Sequence, residues 1–100
     1  MPIPEYEDLA RELLRFIYLK GGPQYAMRPR DVYEPLADRF HLSRVERDEP
    51  RPDGGPGTHW QNRCQWTRQR LVNHGMLAPS TRGVWKLTKA GISKAKESRG

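Results

Sequence analysis

The seven residues Arg51 to Gly57 hold two prolines and three glycines and can be nothing but loop. They divide the chain into parts of different electrical character. Residues 1–50 carry eight basic and ten acidic side chains, net −2, whereas residues 51–100 carry ten basic and two acidic, net +8. Between Gly54 and Lys96 stand eight Arg or Lys residues and no carboxylate. The overall charge of +6 therefore conceals a polarised molecule, and a field of one sign on part of a small domain attracts a polyanion. The expected partner is nucleic acid.

One hundred residues suffice for one domain with one small core. Hydrophobic content is low at 35%, but the apolar residues cluster, which argues against disorder. A single cysteine, Cys64, excludes an internal disulfide, and no Cys/His spacing resembles a zinc site. No metal and no cofactor are expected. No apolar run is long enough for a signal peptide or a membrane span, so the chain reads as soluble and cytoplasmic. The domain is expected over residues 1–97, with 98–100 a polar tail or the start of a linker.

Periodicity and punctuation then order the elements. Pro4 opens a helix with Glu5, Glu7 and Asp8 in its first turn, where carboxylates favour the helix dipole. Tyr6, Leu9, Ala10, Leu13, Leu14 and Ile17 recur at helical spacing until Gly21-Gly22. Gln24 to Met27 reads as a short extended segment. A second helix runs to about Phe40 with Val32, Leu36, Ala37 and Phe40 inward; Pro35 requires either a start just before it or a missing backbone bond. Ser43 and Glu46 form a capping box for a short helical turn that Pro50 ends. Thr58 and Gln61 form a second box, opening a helix that Gly75 closes. Met76 to Pro79 and Val84 to Leu87 read as two strands around a turn, with Trp85 packing under them. Thr88 caps a last helix through Ala90, Ile92 and Ala95. The order is that of an α+β winged helix-turn-helix domain, whose third helix enters the major groove.

The third helix supports that reading independently. At about 100° per residue, Trp60, Cys64, Thr67 and Leu71 share one narrow stripe that should pack inward. Asn62, Gln65, Gln69 and Asn73 lie roughly opposite, with His59 and Trp66 at one edge, Arg63 and Arg70 on one flank and Arg68 on the other. A solvated face usually alternates Glu with Lys. Here amides can donate and accept at an adenine edge, and arginines suit guanine or phosphate. The DNA-binding candidates are Thr58, His59, Trp60, Asn62, Arg63, Gln65, Trp66, Gln69, Arg70 and Asn73 from the helix, with Arg82 and Lys86 from the wing. Trp60 is equally a core residue by its stripe position, and Arg82 is equally a plain turn residue.

The chain also resembles the N-terminal winged-helix domain of Mrr-type restriction endonucleases. The similar stretches are Met1-Pro2-Ile3-Pro4 with Tyr6, Leu36-Ala37-Asp38-Arg39-Phe40, Asn62-Arg63-Cys64-Gln65-Trp66-Thr67-Arg68 leading to Leu71, Gly75-Met76-Leu77, and Arg82 to Gly91. They cover nearly the whole chain in order. The chain departs from the pattern at Pro35 and in the loop Arg51 to Gly57. The resemblance implies a DNA-targeting module fused to a C-terminal nuclease domain, in systems that restrict foreign or modified DNA. It also implies an anchoring role for Trp66, since the family pattern has a tryptophan there.

Some such enzymes read adenine methylation, and the helix offers chemistry for it. A major-groove methyl buried against Trp60 or Trp66, beside Asn62 and Gln69, is worth about 0.8 kcal/mol. N6-methyladenine is expected ahead of 5-methylcytosine. No active site is visible. His59, Asn62, Asn73 and His74 share one helix without metal carboxylates, Pro52-Asp53 lacks a downstream Glu-x-Lys, and Cys64 has no base to activate it. Two alternatives stand beside the DNA-targeting module: a protein-interaction winged helix docking an acidic partner, and the DNA-binding domain of a transcriptional regulator.

Overall fold

Residues 4–79 and 83–97 are described by a computed structural model of the chain. The expected hairpin tip with Arg82, the segment Met1 to Ile3 and the tail 98–100 lie outside them. Helix α1, Tyr6–Lys20, begins two residues after Pro4: Glu5 is its N-cap, and Glu7 and Asp8 lie in the first turn. Leu9, Leu13 and Ile17 on its inner face are completely buried. Two short 3₁₀ turns, Gly22–Gln24 and Pro29–Asp31, flank the two-residue strand β1, Ala26–Met27.

Helix α2, Tyr33–Arg39, resolves the question of Pro35. The helix starts two residues before it, so the proline falls in the first turn, where no intrahelical N–H partner is required. Helix α3, Arg44–Asp48, has the full Ser43–Glu46 capping box. A clamp joins it to α2. Arg47, only 12% exposed, pairs with Asp38 at 2.7 Å and Glu34 at 3.0 Å, and Arg44 pairs with Glu34 at 3.0 Å.

The Gly/Pro-rich loop is closed on itself. Arg51 donates to both carboxylate oxygens of Asp53, at 3.0 and 2.6 Å, and one of those oxygens also accepts from the Gly55 N–H at 2.9 Å. Pro50 and Thr58 form an antiparallel bridge across its base. Helix α4, His59–Asn73, follows directly. The Thr58 hydroxyl accepts from the Gln61 N–H at 3.1 Å, which is the hydroxyl half of the expected box. At the far end Gly75 adopts φ +76°, with Gly75 N–H donating to Val72 and Met76 N–H to Leu71. This Schellman arrangement ends the helix as its glycine implies.

The wing departs from the simple hairpin. Strand β2, Trp85–Lys86, pairs antiparallel with β1, Ala26 opposite Lys86 and Met27 opposite Trp85. The stretch after α4 contributes one bridge, Leu77 to Leu87, and an Ala78 N–H to Lys86 carbonyl bond of 2.8 Å. A two-residue strand carries too little alternation to announce a partner some sixty residues away, so the β1 pairing escapes local pattern. Helix α5, Lys89–Glu97, is capped by Thr88, whose hydroxyl accepts from the Gly91 N–H at 3.0 Å and donates to the Gly75 carbonyl. A Cβ at Gly91 would come within 2.0 Å of the Met76 carbonyl oxygen, so α5 approaches the wing where only glycine fits. Ala95 is buried, Ile92 half-buried and Ala90 exposed, so Ala90 is not on the inner face as its spacing suggested. The α+β winged-helix class stands: α1 packs on α4 and α5, and the core fills the space between them, α2 and the wing.

Candidate nucleic-acid interface

Helix α4 presents two faces with no shared residue. The inner stripe is the expected one: Trp60 is 1% exposed, Cys64 0%, Thr67 1% and Leu71 4%. Thr67 satisfies its hydroxyl by donating to the Arg63 carbonyl at 2.9 Å. Burial pushes the Cys64 thiol pKa upward, so it is an inert apolar residue. The Trp60 indole N–H donates to the Tyr33 carbonyl at 2.7 Å, and its ring meets Phe40 edge-on at 6.4 Å. Trp60 was a candidate for touching bases and for walling a methyl group; its burial removes it from both roles.

On the outer face, Arg63, Gln65, Trp66, Gln69, Arg70 and Asn73 are exposed, and His59 and Asn62 are half-buried. Trp66 is 61% exposed, a large cost in apolar surface left in water. It lines two surface depressions. Asn62, Gln65 and Gln69 line one with it, and His59, Asn62 and Arg63 the other. An indole flanked by carboxamides on one side and by cationic or imidazole groups on the other can offer apolar contact and hydrogen bonds to one base edge.

The outward polar groups are partly organised by one another. Gln65 Nε2 donates to the Tyr33 hydroxyl at 2.9 Å, and Gln69 Nε2 donates to Asn73 Oδ1 at 3.2 Å. Arg68 reaches Gln69 Oε1 at 3.4 Å. Arg70 lays its guanidinium over the Tyr6 ring, 3.8 Å from the centroid, which ties α4 to the start of α1. Burial raises the Tyr6 pKa, and the Arg70 charge opposes that rise. His59 Nδ1 lies 3.8 Å from Glu49. Lys86 is exposed on β2, and Thr58 serves as the N-cap.

Two contributors escaped the sequence reading. Tyr33, at the start of α2, and Tyr6, at the start of α1, each support a residue of the outer face across the fold. The only available signal was chemical, since a tyrosine, on an apolar stripe or off it, still needs a partner for its hydroxyl or its ring face. Asp53, considered for a metal site, is committed to its loop: the Arg51 guanidinium holds its carboxyl below the usual range, helped by the Gly55 N–H. Among the described residues, no group of three or more His, Cys, Asp or Glu could hold a metal ion, and no helix is long and apolar enough to cross a membrane.

No curated protein and no solved structure matches the chain. A family model does: the outward helix face, the wing and the helix order all fall within residues 6–97, which match the Mrr N-terminal domain, and the chain therefore belongs to that family of restriction-system domains.

Proposed function

We propose that this chain is a double-stranded DNA-binding module that targets a restriction endonuclease, with cleavage residing in a C-terminal nuclease domain fused to it. Helix α4 enters the major groove, Arg63 and Lys86 hold phosphates, and Arg82, outside the described residues, is a further phosphate contact by its sequence alone. Asn62, Gln65 and Gln69 read base edges, with His59, Arg70 and Asn73 at the margins.

We further propose that the module prefers modified DNA, with N6-methyladenine ahead of 5-methylcytosine. One observation carries this reading: Trp66 stands 61% exposed among three carboxamides on a helix that has no carboxylate. A methyl in the major groove would bury against the indole, while the amides still bond the remaining amino proton. Each methyl contributes about 0.8 kcal/mol, so two in a symmetric site give roughly tenfold discrimination. Titration of matched duplexes, unmodified, adenine-methylated and cytosine-methylated, tests it. Equal affinity for all three would leave a DNA-binding domain indifferent to methylation, and salt-insensitive, weak binding to each would favour an acidic protein partner instead.

A further inference from the structure

We propose that Tyr33 is a positioning residue for base readout: its hydroxyl anchors the carboxamide of Gln65 and thereby sets where that side chain stands on the groove-facing surface. This inference rests on the DNA-reading role of α4 proposed above.

A glutamine on an open helix face samples many rotamers, and holding it at a base edge costs side-chain entropy. Gln65 is not in that condition. Its Nε2 donates to the Tyr33 hydroxyl at 2.9 Å, a contact spanning 32 residues of chain. One end of the carboxamide is held toward α2, and among the described residues the other end has no hydrogen-bond partner. That free end is left to meet a base edge from a fixed position.

Tyr33 can hold Gln65 only if it is itself held, and three elements do so. Its carbonyl accepts from the Trp60 indole at 2.7 Å. Its ring meets Trp85 of β2 edge-on at 6.1 Å between centroids. Its backbone opens α2. Core, wing and readout face therefore converge on one side chain. Its phenol, neutral at physiological pH at its ordinary pKa of 10.0, is pushed further up by burial, so it bonds Gln65 without a charge that would repel DNA.

Tyr33→Phe removes only the hydroxyl and keeps the ring, the edge contact and the carbonyl. The measurements are the Gln65 side-chain amide signals by NMR, and binding to random duplex and to a duplex selected by the wild-type chain from a randomised pool. In Tyr33→Phe the Gln65 amide signals should shift and narrow, and preference for the selected duplex should fall by about three- to tenfold. Affinity for random duplex should move much less. In a Gln65→Ala background the same substitution should add nothing further. A variant that keeps its preference, or that loses as much without Gln65, overturns the role assigned to Tyr33 while leaving the DNA reading intact. A wild-type chain that selects no sequence overturns the DNA reading and this inference with it.

Discussion

Trp60 and Trp66 stand six residues apart on α4, the first 1% exposed and the second 61%. Trp60 is held by a hydrogen bond to the Tyr33 carbonyl and an edge contact with Phe40, whereas Trp66 rests beside the exposed Gln65 and Gln69 and the half-buried Asn62. The two should respond oppositely to substitution. Trp60→Ala removes a packed core side chain and should cost about 3–5 kcal/mol of stability. Trp66→Ala should change stability by less than about 0.5 kcal/mol, yet abolish any preference for methylated duplex. Thermal unfolding and titration of both variants check this; a stable Trp60→Ala chain would contradict the packing described.

The proposed readout face predicts a second pattern. Asn62→Ala and Gln69→Ala should each cost roughly 1–3 kcal/mol on a preferred site and far less on random DNA. Gln69 also donates to Asn73 at 3.2 Å, so Asn73→Ala should weaken readout through Gln69 and be non-additive with Gln69→Ala. Competition binding on selected and random duplexes measures each. Unchanged base preference in Asn62→Ala and Gln69→Ala would mean that another surface reads the bases.

Electrostatics gives the third. With about four to six phosphate contacts drawn from Arg63, Arg68, Arg70, Arg82, Lys86 and Lys89, the log–log dependence of affinity on salt should have a slope of roughly −4 to −5. Arg63→Gln and Lys86→Gln should each lower that slope by about 1 without loss of stability. Arg70→Gln should also lower the thermal midpoint, because it loses a stack on Tyr6 worth about 0.5–1 kcal/mol. Affinity flat between low and physiological salt contradicts the scheme.

The α2–α3 clamp predicts a pH dependence. Hydrogen bonds from Arg44 and then Arg47 hold the Glu34 carboxyl below its ordinary value of 4.5. A carboxylate with a depressed pKa in the folded state stabilises the fold fully above that ordinary value, and the contribution is lost as pH falls through the lowered one. Since Glu34 is 54% exposed, the contribution is small, about 0.5–1 kcal/mol. Glu34→Gln should therefore be slightly less stable than the parent chain at pH 7 and equal to it in strong acid. Denaturant unfolding of both across pH measures the difference; one that persists unchanged below the carboxylate range would place the effect elsewhere.

How much of this was legible in the residues depends on the distance over which each feature acts. The inner stripe of α4, the Thr58 and Ser43 caps and the Gly75 stop are local, decided by side chains three or four positions apart, and all of these are found. The role of Trp60 was ambiguous because its stripe position and its first-turn position point in different directions; only the groups facing it, Tyr33 and Phe40, decide. The pairing of β1 with β2, the Arg70–Tyr6 stack and the Gln65–Tyr33 bond join residues far apart in the chain, and no local period announces such meetings. The outer face was visible as a chemical type, amides without carboxylates, but not as a geometry.

Because the packed and outward faces of α4 share no residue, the helix separates what the chain must keep from what it is free to change. Positions 62, 65, 66, 69 and 73 can be exchanged together without entering the core. A library varied at those five positions should retain a nearly constant melting temperature while its members scatter in the duplexes they prefer. Retargeting would then be a matter of rewriting one helix surface, with the fold carried along unaltered.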